Sequence, residues 1–162
     1  MLEIGKIERI ERQIDYIFTD KNKLVQVFTT KSYAKEQKDL GKDCKSQEEY
    51  RTQGDSILKN ILIELLKKNG YKTPQEISEA KSDLENGVKL AEIFSSFNIS
   101  SDYWLKGRGE RVSIPLRAET FESLICAIFL DISSTSGEEL ANKQIRNYIS
   151  KWFEQFIAII SR

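Results

Sequence analysis

The run Leu124-Ile125-Cys126-Ala127-Ile128-Phe129-Leu130 restricts the possible folds of this chain more than any other feature. Read as a helix over about 117–131, it is apolar on nearly every side after Glu122 and leaves no face for solvent. Such a helix is stable only when other elements enclose it, so it is expected at the centre of the fold. Proline occurs only at positions 74 and 115, which permits long helices almost everywhere else.

Helical spacing recurs along the chain. Leu2, Ile4, Ile7, Ile10, Ile14, Ile17 and Phe18 form the first such segment. Thr19-Asp20 is a turn and N-cap for a short second helix through Leu24, Val25, Val27 and Phe28. Ser46 is placed to cap a long helix whose stripe is Ile57, Ile61 and Leu65, with Leu58, Leu62 and Leu66 beside it. Lys67-Lys68-Asn69-Gly70 ends that helix, and Thr73-Pro74-Gln75-Glu76 opens the next with proline in its first turn. A break near Asn86-Gly87 precedes Leu90, Ile93 and Phe97. The last helix carries Leu140, Ile145, Ile149, Trp152, Phe153, Phe156 and Ile157. Three stretches are expected to be irregular: a mobile Lys-rich loop over 29–45, a flexible basic loop over 106–111 running on to Pro115, and a linker over 133–137. No strand-like alternation of useful length occurs. The expectation is an all-α fold in one domain over residues 1–162.

The chain contains no histidine, which excludes Ser–His and Cys–His catalysis, His-ligated zinc and imidazole acid–base chemistry. Cys44 and Cys126 are too far apart for a C-x-x-C motif, and Cys126 reads as a buried small hydrophobe. Lys+Arg and Asp+Glu balance at 25 each, so any attraction to nucleic acid has to come from local clusters. The most apolar late stretch, 149–160, is interrupted by Lys151, Glu154 and Gln155, so no membrane contact is expected. The amino-terminal residues lack the pattern of a signal or transit segment, and with reduced thiols the cytoplasm is the expected compartment.

What remains is oxygen chemistry. Glu48, Arg51 and Asp55 share one stripe of the long helix, with Gly54 beside it, and Glu119 and Glu122 stand a turn apart before the apolar run. Carboxylates brought together from two helices suit a hard divalent cation, which can assist water's attack on a phosphodiester. On spacing alone, however, a charged helix stripe is more often a solvated face.

At these residues the chain resembles the ribonuclease III endonuclease domain. The family's N-E-R-L-E-F-L-G-D motif is matched by Gln47-Glu48-Glu49-Tyr50-Arg51-Thr52-Gln53-Gly54-Asp55, followed by Ser56-Ile57-Leu58. Its second acidic motif is matched by Glu119-Thr120-Phe121-Glu122-Ser123-Leu124-Ile125-Cys126-Ala127-Ile128-Phe129-Leu130-Asp131. Phe28-Thr29-Thr30-Lys31-Ser32-Tyr33 resembles L-T-H-R-S-Y, and the stretch from Leu84 to Ile93 resembles L-V-x-N-x-x-L-A-E-I. The four motifs span 28–131 in the family's order.

The resemblance implies an all-helical, Mg-dependent (or Mn-dependent) endoribonuclease domain for double-stranded RNA, usually paired as a homodimer. By this resemblance Glu48, Asp55, Glu119 and Glu122 are the catalytic acids, and Asp55, Glu119 and Glu122 the metal ligands. Arg51 departs from the pattern, because a permanent cation stands where the family has a glutamate. A guanidinium there is expected to pair with Asp55 and Glu122. Thr52 and Gln53 replace the motif's apolar Phe and Leu, the Phe being a dimer contact in the family, so both homodimer and heterodimer remain open. The chain is expected to lack the double-stranded-RNA-binding domain that many relatives append. Lys31, Lys106, Arg108, Arg111 and Arg117 are the candidate RNA contacts. Three functions compete: a cation-dependent endoribonuclease with a rearranged site, a non-catalytic RNA-binding or structural subunit of a ribonucleoprotein or heterodimer, and a helical protein-interaction module without RNA.

Overall fold

The computed structural model describes residues 2–160, excluding the side chains of 158–160; the ends of the expected 1–162 domain, residues 1 and 161–162, lie outside the described residues. Among the described residues there are eight α-helices and no strand: α1 (Ile4–Ile14), α2 (Lys21–Val27), α3 (Lys31–Asp39), α4 (Glu48–Lys68), α5 (Pro74–Glu85), α6 (Gly87–Ser95), α7 (Ile114–Ser136) and α8 (Glu138–Ile160). A short 3₁₀ turn, Ser101–Tyr103, lies between α6 and α7.

As the apolar run requires, α7 is the central helix. It packs against α2, α4, α6 and α8, and Phe121, Leu124, Ile125, Cys126, Ala127 and Ile128 are fully buried. α8 covers one side with Ile145, Ile149, Phe153 and Ile157, a buried stripe at four-residue spacing. Aromatic edges fill the α6–α7–α8 junction: the Phe121 ring lies 5.5 Å from Trp152 and 6.4 Å from Phe94.

Local chemistry explains most helix boundaries. Asp20 accepts from the Asn22 amide, and Thr73 and Glu76 form a reciprocal capping box. Asn86 both ends α5 and caps α6, accepting from the Lys89 amide. Ser46 accepts from the Glu48 amide, although the residue immediately preceding α4 is Gln47.

Two of the three expected irregular stretches need correction, and the third, 106–111, is a loop as expected. Residues 31–39 form α3, capped by Thr30, whose hydroxyl accepts from the Tyr33 amide. Only Ala34 of α3 is buried, so no apolar stripe marked it in the sequence. The 106–111 loop is hydrogen-bonded to α3 and to the segment before it. At a parallel bridge between Thr29 and Leu105, the Leu105 amide donates to the Phe28 carbonyl and the Leu105 carbonyl accepts from the Thr30 amide, while the Arg108 amide donates to Glu36 (2.7 Å). A Cβ on Gly107 would lie 2.6 Å from the Ser32 Cβ, so glycine is what allows that contact. Residues 133–136 continue α7; Ser134 and Thr135 hydroxyls donate back to the Asp131 carbonyl, and Gly137 alone (φ 93°) makes the turn into α8.

Asp131 is fully buried yet accepts three bonds, from the Tyr16 hydroxyl (2.5 Å) and the Thr19 and Asp20 amides (2.8 and 3.0 Å). Three donors satisfy the carboxylate and tie α7 to the start of α2. None of the helices among the described residues is long and apolar enough to cross a membrane.

Candidate active site

Gly54 sets the geometry at which α4 crosses α7. A Cβ there would sit 1.8 Å from the Glu122 carbonyl oxygen and 2.7 Å from its carbon. Only a residue without a side chain permits so close an approach. The approach brings the next side chain on α4, Asp55, into hydrogen-bonding reach of Glu122 on α7. The sequence placed these two acids on different helices, and the structure makes them a pair.

Burial, the hydrogen bond with Asp55 and the negative charge of Asp55 push Glu122 up to about 8. Burial also acts against ionisation of Asp55, but the bond from Glu122 and the nearby Lys59 outweigh it, leaving Asp55 below its ordinary value. Lys59 Nζ lies 3.1 Å from Asp55 Oδ2, one turn along α4. The two shifts run in opposite directions because two adjacent carboxylates resist carrying two charges.

One turn nearer the start of both helices, Arg51 Nη1 is 3.0 Å from Glu119 Oε1. The ion pair expected between Arg51 and Asp55 or Glu122 is thus made with Glu119 instead. Arg51 lies a full turn from Asp55 along α4, while Glu119 is level with it across the crossing. Glu48 Oε1 lies 3.5 Å from Lys31 Nζ. The structure therefore joins Asp55 to Glu122, pairs Glu119 with Arg51, and pairs Glu48 with Lys31. A cavity of about 250 Å³ opens beside them, lined by Thr30, Lys31, Gln47, Glu48, Arg51 and Glu119, among others.

Gln47 holds this arrangement in register, and the sequence offered its motif match as the only signal. Its buried amide donates to the Val27 carbonyl (2.8 Å) and the Thr120 hydroxyl (3.0 Å), and its own carbonyl accepts from Ser123 (3.0 Å). Trp104 Nε1 also donates to Thr120 (2.9 Å). This network fixes the start of α4 against α7, with Thr120 and Ser123 next in sequence to Glu119 and Glu122. Cys126, expected to be buried, is fully so, and burial pushes its thiol up to about 12.

The candidate RNA contacts differ in their surroundings. Arg108 and Arg111 are exposed, and Lys106 is half-buried. Lys31 is exposed at the rim of the cavity. Arg117 lies over the Trp104 ring at 5.4 Å, so part of its role is packing.

The site thus lies in an all-helical domain in which two helices cross at a glycine and present paired acids. No family model matches the chain. Ribonuclease 3 of Buchnera aphidicola subsp. Acyrthosiphon pisum is 31% identical over 160 residues, covering 95% of this chain and 63% of the relative. Ribonuclease 3 of Protochlamydia amoebophila is 29% identical over 163 residues, covering 97% and 62%. A crystal structure of the ribonuclease III nuclease domain from Campylobacter jejuni superposes with a TM-score of 0.71 at 27% identity, over 91% of this chain and 99% of that one. Over nearly its whole length the chain is therefore similar to the nuclease domain of ribonuclease III. The chain spans 63% and 62% of the length of the two curated relatives.

Proposed function

We propose that the chain is a cation-dependent endoribonuclease domain acting on double-stranded or structured RNA, with Asp55 and Glu122 at the centre of its chemistry. The observation that carries this reading is their meeting across the Gly54 crossing, at the positions that match the family's acids.

The donor set fits a divalent cation at Asp55 and Glu122. Both supply carboxylate oxygens within reach of one another, and the proton they share is what a cation would replace. Among the described residues no group of three or more His, Cys, Asp or Glu side chains is arranged to hold a metal, and Glu119 and Glu48 are paired with Arg51 and Lys31. One or two carboxylates completed by substrate phosphate oxygens is an ordinary way to hold Mg²⁺. When bound there, Mg²⁺ or Mn²⁺ supplies positive charge where a phosphodiester accumulates negative charge during cleavage. Asp55 and Glu122, the latter after losing its proton to solvent, would supply the oxygens that hold it, and Gly54 and Gln47 keep the two helices at the spacing this requires.

Lys31, at the cavity rim, and the exposed Arg108 and Arg111 on the loop fastened to α3 are suited to RNA phosphates. Lys106 and Arg117 are weaker candidates, being half-buried. The Campylobacter jejuni domain is described as having a region involved in dimer formation. The same pairing, with a second copy or another ribonuclease III-like domain, is our reading for this chain, in the cytoplasm.

The test is cleavage of a labelled RNA duplex with Mg²⁺ or Mn²⁺ by the chain and by Asp55→Asn. Cleavage that requires the cation and vanishes in the variant supports the proposal. Salt-dependent RNA binding without cleavage would replace it with the non-catalytic subunit, and no RNA affinity with the interaction module.

A further inference from the structure

The acids at the α4–α7 crossing form two rungs. The rung nearer Gly54 is Asp55 with Glu122, two carboxyl groups that meet where α4 crosses α7. The rung one turn away is Arg51 with Glu119, two groups of opposite charge 3.0 Å apart. An acid at position 51 would make the second rung another pair of carboxyl groups, needing a cation or a proton of its own. Arginine meets that need internally and permanently, since it does not deprotonate in proteins.

We infer that Arg51 takes the place of a second cation in this domain, leaving one weak divalent-ion position at Asp55 and Glu122 that RNA completes. The inference rests on the reading of those two acids proposed above. Two features of the geometry support it. Glu119 is already spent on the guanidinium, so it offers no unengaged carboxylate to an incoming ion. Lys59 lies 3.1 Å from Asp55 on the other side, so Arg51 and Lys59 together offset two of the three carboxylates Asp55, Glu119 and Glu122. A site whose charge is largely balanced by fixed side chains attracts a divalent ion only feebly until substrate phosphates add negative charge.

The test measures ion binding rather than cleavage. Mn²⁺ is titrated into the RNA-free chain, and free Mn²⁺ is followed by electron paramagnetic resonance for the wild type, Arg51→Lys, Arg51→Gln and Arg51→Glu. Each is then repeated with Asp55→Asn. Arg51 and Glu119 are both partly exposed, and a thermal melt on each variant confirms that it folds. Binding should tighten roughly tenfold or more in Arg51→Gln and further in Arg51→Glu, which also gains a second bound ion, while Arg51→Lys stays at the wild-type level. Asp55→Asn should remove the tight binding. Affinity unchanged within about twofold in Arg51→Gln and Arg51→Glu, with Asp55→Asn still weakening the wild type, overturns the role of Arg51 alone. Mn²⁺ binding that ignores Asp55→Asn in every background overturns the acid-pair reading and this inference with it.

Discussion

Replacing Gly54 with alanine tests the helix crossing on which the candidate site depends. The added Cβ would stand 1.8 Å from the Glu122 carbonyl oxygen, and that oxygen belongs to the backbone of the buried central helix. Its neighbours Phe121, Leu124 and Ile125 are fully buried, so α7 has little space into which to retreat. Reaching an ordinary carbon–oxygen contact of roughly 3.3 Å requires the helices to separate locally by about 1.5 Å. Overpacking of this severity costs about 3 kcal/mol or more. Alanine's better helix propensity returns only about 1 kcal/mol. The net loss of about 2 kcal/mol lowers Tm by roughly 4–8 °C in a chain of this size. Separation also parts Asp55 from Glu122, so Glu122 should titrate well below about 8, and RNA cleavage should fall on the order of 100-fold. Circular-dichroism melts and carbon-detected NMR titration of the Glu122 carboxyl measure the first two effects independently of catalysis. A variant as stable as the wild type, with Glu122 still titrating near 8, would refute the reasoning, since alanine would then fit where the geometry leaves it no room.

Further outcomes follow from the same contacts. Glu122 titrates at about 8 when folded against an ordinary 4.5, so the stability from its protonated form is full below about 4.5 and is lost as pH rises through about 8. Urea unfolding from about pH 5 to about pH 9 should show this decline in the wild type and a flatter profile in Glu122→Gln. Gln47→Ala leaves the Val27 carbonyl and Thr120 hydroxyl without their amide donor, and should lower stability by about 1–3 kcal/mol in the same assay. Asp131→Asn turns an acceptor of three bonds into a group with its own donors facing Tyr16, Thr19 and Asp20; a loss of about 3 kcal/mol is expected from thermal melts.

The helical architecture was largely legible in the sequence because its signals are local. The apolar run at 124–130 placed α7 at the centre, and Thr73, Pro74, Asn86 and Gly70 marked helix ends through capping groups a few residues away. α3 escaped because a helix that buries only Ala34 carries no apolar stripe. What the 106–111 loop bonds to escaped because Glu36 and Thr30, like Ser32 beside Gly107, are more than seventy residues earlier in the chain. The extension of α7 through 133–136 escaped because serine and threonine ordinarily favour turns, whereas here their hydroxyls bond back to α7's own carbonyls.

For the site, sequence alone determined which residue types were available: no imidazole, no paired thiols, and acids on two helices with an arginine among them. Tertiary structure alone decided how those charges pair. Helical spacing puts Arg51 and Asp55 on one stripe, but it does not report what faces that stripe. The contact at Gly54 sets Asp55 against Glu122 and Arg51 against Glu119. Charges act through space over a few ångströms, so their partners are fixed by how two helices cross rather than by their order along the chain.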